Sequence, residues 1–217
     1  MKQTLFKTAS MMMLIMLMST AGIMAQTFEY PEYENDTERI AVRYEGKRPT
    51  ISDFTTAILN HVKDQKFYDM ADRDWKLYQQ KKPLSGKSKI TLDIPNGYMR
   101  YDTFYPEKTD TVFMEMCFWN CADGKHKLVC CNTVWRMDGD YGWADYTGAH
   151  FYLYDNSTKK LRDIWAEDIG ALFDGDGLSV FFLPRKGKDI KVSAAGGGDR
   201  WDEVLIWDGY KFSLKEE

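Results

Sequence analysis

The sequence predicts an α+β domain, with N-terminal amphipathic helices over about 52–81 packed on an antiparallel β-meander of about eight to ten strands over about 88–215. Three observations carry the prediction. Apolar residues recur at helical spacing after Thr50. From Ser88 onward the apolar period falls to two. Short Asp, Asn and Gly clusters separate the alternating runs.

Residues 1–25 stand outside this domain. "MKQTLFK" holds two lysines and no acid, "TASMMMLIMLMSTAGIM" is apolar, and Ala25 is a small residue before Gln26. That order is expected of a secretory signal peptide. Cleavage there leaves 192 of the 217 residues and removes two lysines, so the formal charge moves from −4 to −6. The apolar run is too short to favour a membrane anchor, and no other stretch approaches the roughly 20 apolar residues of a transmembrane helix. The predicted compartment is the periplasm, the cell envelope or the medium. Negative charge argues against nucleic acid and anionic membranes as main partners.

Residues 26–49 are polar and tyrosine-rich and read as an extended arm, with one edge strand at "RIAVRYE". A single α+β domain then spans 50–217. "TISD" is a Thr-x-x-Asp helix start, a variant of the capping box. Phe54, Ala57, Ile58, His61 and Val62 follow, then Phe67, Met70, Ala71, Trp75 and Tyr78, which makes one or two helices that stop before Pro83. His61 falls on the apolar face and reads as a packed residue.

Ten segments then alternate: "SKITLDI", "GYMRYDTFY", "DTVFMEMCFW", "HKLVCCNTVW", "AHFYLYD", "KLRDIW", "LSVFFLP", "DIKVSA", "DEVLIW" and "YKFSL". The recurring strand–turn–strand form suggests propeller blades, but some 130 residues are too few for four blades of about 40. Helices on one face of a sheet, or two packed sheets with helices covering an end, remain as alternatives.

All four cysteines lie in "MCFWNCADGKHKLVCC", 116–131. Asp123-Gly124 is a strong hairpin signal, and a two-residue type I′ turn pairs residues whose numbers sum to 247. Cys117 then faces Cys130 as a non-hydrogen-bonded pair, close enough for a disulfide. An exported chain favours pairing, so Cys117–Cys130, a longer-range bridge and free buried thiols all stay open. Cys117 and Cys121 are about 13 Å apart along a strand, which one metal ion cannot span at roughly 2.0–2.3 Å per ligand. Both hairpin faces are apolar: Phe113, Cys117, Trp119, Leu128 and Cys130 on one, Val112, Met114, Met116, Phe118, Val129 and Cys131 on the other. The hairpin should therefore be central and covered on both sides.

Motifs of known chemistry fail on residue or context. "SGKS", 85–88, follows a helix and lacks the first glycine of a phosphate loop. "FDGDGL" and "MDGDYGWAD" do not complete a calcium loop. Glu167 and Asp168 with Asp174 and Asp176 would supply a carboxylate pair for a hydrolase. No nucleophile motif is present, and no catalytic residue, metal ligand or cofactor is assigned.

The richest candidate is the segment 134–152, "VWRMDGDYGWADYTGAHFY". It sets Trp135, Tyr141, Trp143 and Tyr146 among Asp138, Asp140 and Asp145. Flat aromatic faces beside carboxylates suit a sugar ring. The competing reading is that these rings cap the core and the acids face water.

The leader, the closing hairpin "WDGYKF" at 207–212 and the hairpin "VFFLPRKGKDIKV" at 180–192 resemble secreted proteins of gut Bacteroidetes whose role is uncharacterised. The resemblance implies an exported β-rich domain and assigns no site residues. The functional expectation is an exported non-enzymatic domain that binds a ligand, a glycan or an envelope partner through the 135–146 loop. A hydrolase using loop carboxylates and a structural envelope subunit are the alternatives.

Overall fold

The computed structural model describes residues 29–31, 38–62, 66–104, 111–137, 140–142, 148–171, 179–194 and 203–216. It is an α+β fold, mostly antiparallel sheet. The chain enters as an edge strand, β1 (Ile40–Ala41), and forms two helices, α1 (Ile51–His61) and α2 (Lys66–Gln79). Eleven strands follow among the described residues: β2 (Lys89–Asp93), β3 (Tyr98–Phe104), β4 (Thr111–Asn120), β5 (His126–Met137), β6 (Asp140–Gly142), β7 (Gly148–Asp155), β8 (Lys160–Ile164), β9 (Ser179–Phe182), β10 (Ile190–Ala194), β11 (Glu203–Trp207) and β12 (Phe212–Leu214).

Helix α1 begins where the sequence placed it. Thr50 is the N-cap, and its backbone N–H donates to Asp53 Oδ2 at 2.7 Å, satisfying a donor at the helix entrance. Phe54, Ile58 and Leu59 of α1 and Phe67, Tyr68 and Trp75 of α2 are buried in one cluster with Met114, Met116, Val129, Cys131 and Tyr154. The Phe54 ring meets Phe118 and Tyr154 edge-on, at 5.4 and 5.1 Å. His61 is not packed away as expected. It is half-buried, with Nδ1 3.7 Å from Glu38 Oε1.

The single meander is corrected to two sheets. Eight strands form one antiparallel sheet in the order β1-β8-β7-β5-β4-β3-β2, with β6 pairing β5. The other four form a second sheet, β12-β11-β10-β9. The cause lies in the two-sided hairpin β4–β5. The helices bury one face. The other face, with Cys117, Trp119, Leu128 and Cys130, is buried with Ile190, Val192, Leu205, Trp207 and Phe212 of the second sheet. Polar groups fasten this second layer. Trp119 Nε1 donates to the Lys188 carbonyl at 2.8 Å, Asn132 Nδ2 donates to the Phe181 carbonyl at 2.7 Å, and the Leu183 N–H donates to Glu115 Oε2 at 3.0 Å. At the hairpin tip the Ala122 N–H donates to the Gly209 carbonyl at 2.8 Å, so the β4–β5 tip is tied to the β11–β12 turn.

The arm also belongs to the core. Tyr30 is buried in the cluster facing the second sheet, and Ile40 and Val42 in the cluster facing the helices. Burial of these three sets the described parts of the arm, 29–31 and 38–42, against the body of the fold.

The ladder of β4 and β5 pairs Cys117 with Cys130 and Asn120 with Lys127, a sum of 247 throughout. The turn is nevertheless not type I′. Gly124 takes φ 67°, whereas Asp123 is not among the non-glycine residues at positive φ. The closing hydrogen bond runs from the Cys121 N–H to the His126 carbonyl at 3.1 Å, which makes 122–125 a four-residue loop. Pairs alternate from there, so 117/130 falls on a hydrogen-bonded pair, the wider kind at about 5.5 Å between Cα atoms. Cross-strand Cβ atoms at that spacing exceed the roughly 3.5–4.5 Å a disulfide spans. All four cysteines are buried free thiols, and the expected Cys117–Cys130 bridge is not formed.

Candidate functional site

Two cavities adjoin at the β4–β5 tip and share His126. The first, of about 420 Å³, is lined by Tyr44, Lys47 and Arg48 on one side and by Asn120, His126 and Lys127 on the other. Chain direction explains the meeting. After β1 pairs with β8, the Val42 N–H donates to the Lys159 carbonyl at 2.9 Å, and residues 43–49 lead past the tip to the α1 cap. The β7–β8 turn closes the end. The Asn156 N–H donates to the Lys125 carbonyl at 2.9 Å, and its side-chain amide donates to the Gly124 carbonyl at 3.3 Å.

Lys127 is the unusual member. It occupies a strand position whose neighbours on the same face, Val129 and Cys131, are core, and it is only 7% exposed. Its Nζ donates to Asn120 Oδ1 and lies 5.0 Å from the centroid of the Phe118 ring. Burial, and then the positive Arg48, pull its amine below the usual lysine range. Among the described residues the first cavity has no carboxylate in its lining.

The second cavity, of about 730 Å³, has mixed charge, with Glu29, Asp123 and Asp155 against Arg39, Lys125 and Arg162. Asp123 is engaged within its own turn. It accepts from the Lys125 N–H at 2.8 Å, the His126 N–H at 3.0 Å and His126 Nδ1 at 2.6 Å. Burial works against its ionisation, but these bonds outweigh burial and hold the carboxyl below its usual range. Asp155 is similarly bound by the Ser157 N–H and hydroxyl, both at 2.7 Å.

Cys121, His126 and Asp123 invite comparison with a nucleophile, base and orienting acid. The thiol does not qualify. It is buried, it accepts from the Tyr30 hydroxyl at 3.2 Å, and among the described residues no hydrogen bond joins it to His126. Burial pushes it up to about 11, against the lowering effect of the Tyr30 bond. A thiol held protonated at neutral pH is a poor nucleophile. Among the described residues no three His, Cys, Asp or Glu side chains converge as a metal would require.

The expected loop at 135–146 is described only in part. Trp135 lies in β5, half-buried against the helix-side cluster. Asp140 and Tyr141 lie in β6, with Met137 paired to Asp140 and Arg136 to Tyr141. Asp138, Trp143, Asp145 and Tyr146 fall outside the described residues, as do Asp174 and Asp176 of the carboxylate pair. Glu167 and Asp168 lie in a 3₁₀ turn, Glu167–Ile169. The "SGKS" segment serves the fold, since the Ser85 N–H donates to buried Asp74 at 3.1 Å and the Ser88 hydroxyl bonds Tyr101 and Thr103.

Sequence reasoning passed over Lys47, Arg48 and Lys127. Two signals were present: the basic "GKRP" run before the helix cap, and a lysine on the apolar face of a central strand. Comparison of the chain with family models, curated proteins and solved structures gives no match.

Proposed function

We propose that this chain is an exported, non-enzymatic binding domain whose ligand occupies the paired cavities at the β4–β5 tip. One observation carries the reading: the two cavities share His126 and bring together hydrogen-bonding and charged side chains from three segments of the chain. Concavity with convergent polar groups is what a small-molecule site requires. Hydrolysis would require in addition an activated nucleophile or an acid–base pair, and the thiol at the tip is held protonated. The order of charge and apolarity in residues 1–25 supports export.

The aromatic loop at 135–146 offers a rival place for a glycan. Its described part, Trp135 and β6, adjoins the end of β5 away from the tip, with Trp135 roughly 30 Å from His126 along the strand, so substitutions separate the two. A thermal-shift screen of a glycan panel against wild type, His126→Gln and Trp143→Ala is the test. The expected result is a ligand-induced shift that survives Trp143→Ala and is lost in His126→Gln. Loss in Trp143→Ala alone would move the site to the loop. Turnover of a glycan would favour the hydrolase. Self-association without any ligand response would favour an envelope subunit.

A further inference from the structure

We infer that the cavity of Lys47, Arg48 and Lys127 is an oxyanion site, so that the ligand of the hairpin tip, on the binding-domain reading above, carries a carboxylate, sulfate or phosphate group. A cation taken out of water needs a counter-charge, because desolvation of an ammonium is costly unless it is paired. Lys127 is nearly buried, yet its partners are an amide oxygen and an aromatic face, and among the described residues it has no carboxylate partner. The nearby Arg48 adds repulsion. The acids of the neighbouring turns do not relieve it. Asp123 is bound to His126 and two backbone N–H groups, and Asp155 to Ser157 and Thr158.

The chain as a whole is negative, with formal charge −4, so a cavity whose described lining has three cationic side chains and no carboxylate is a local exception. An oxyanion resolves the imbalance. Arg48 offers a planar fork, Lys47 and Lys127 offer point charges, and the Asn120 and Asn156 amides and Tyr44 hydroxyl complete a polar wall. The second cavity begins on the other side of His126 and carries both charges, which suits the polar body of the same ligand.

The test uses the full chain at constant ionic strength. Calorimetric titrations are run with inorganic phosphate, inorganic sulfate, glucuronate, glucose 6-phosphate and glucose. At least one oxyanion should bind saturably below about 10 mM while glucose does not. The preferred member distinguishes a planar carboxylate from a tetrahedral ester. Lys127→Met should weaken binding at least about tenfold, the loss expected when a charged partner is removed. Arg48→Met, at an exposed position, should weaken it similarly without touching the core. The distant surface variant Lys66→Met should bind as wild type. Binding unchanged in both Lys127→Met and Arg48→Met would overturn the inference. Binding of glucose but of no oxyanion would also overturn it and leave the binding-domain reading standing. Binding of none of the five would count against both.

Discussion

Asp74 and Glu115 are both buried carboxylates, and their surroundings push them in opposite directions. Asp74 accepts from the Ser85 N–H at 3.1 Å and the Tyr101 hydroxyl at 2.9 Å. Burial raises its carboxyl, but the bonds from Ser85, Ser88 and Tyr101 together outweigh burial and hold it below the usual range. Its folded value lies below the unfolded one, so it contributes stability above about pH 4 that is lost as pH falls toward the folded value. Glu115 accepts from Tyr98 at 2.6 Å, Arg100 at 3.1 Å and the Leu183 N–H at 3.0 Å, yet burial dominates and raises it. Its folded value lies above the unfolded one, so stability falls as pH rises through that window. Urea unfolding across pH 3–7 should therefore show Asp74→Asn about 1–3 kcal/mol less stable than wild type at pH 7, with the gap narrowing in acid. Glu115→Gln should flatten the opposite slope above pH 4. Parallel curves for wild type and both variants would refute the assignment.

Among the elements, the β4–β5 hairpin separates what sequence reveals from what it hides. Asp123-Gly124 marked the centre of the turn, and that centre fixes which residues face each other. The same sum of 247 arises from a two-residue turn and from a four-residue loop, and the two differ in which pairs are hydrogen-bonded. Only the backbone bond from Cys121 to His126 decides, and with it whether Cys117 and Cys130 can be bridged. The basic cavity was hidden for a related reason. Lys127 stood visibly on an apolar strand face, but nothing local to it says that residues 44–49 return to the same place. Two glycines at nearly the same φ allow a test of local against tertiary constraint. A Cβ on Gly124 would meet nothing within 4 Å, whereas one on Gly170 would lie 2.3 Å from the Phe212 carbonyl oxygen. Gly124→Ala should cost about 1–2 kcal/mol, the strain of a left-handed backbone alone. Gly170→Ala should cost that and more, because backbone in the second sheet must shift. Chemical denaturation of the two variants measures the difference, and equal losses would refute the close approach of Gly170 to β12.

At the scale of the whole molecule, β4 and β5 contribute to both large buried clusters, so neither covering layer can leave without exposing them. The sequence made the two-sided hairpin legible. It left two packed sheets open as one alternative but did not show where the ten predicted strands divide, because the join after β8 uses the same Gly and Asp residues as the turns within each sheet. Shared burial predicts one cooperative transition. Trp75 reports from the helix-side cluster and Trp119 and Trp207 from the other. Tryptophan fluorescence and far-ultraviolet circular dichroism should then give coincident urea midpoints. Two resolved midpoints would mean that one layer unfolds alone.

The bond from Ala122 to Gly209 acquires a further meaning once the tip is considered as a place where something docks. It is a latch between the 122–125 loop, which leads into His126 at the start of β5, and a turn of the second sheet, and it is a backbone bond, indifferent to most side-chain change. Whatever steadies the loop steadies the latch, and the latch in turn restrains the β11–β12 turn. On the proposed binding reading, occupancy at the tip should also slow opening of the β11–β12 turn. The Ala122 amide, exchanging its proton with solvent only when the latch releases, is a built-in reporter of that occupancy.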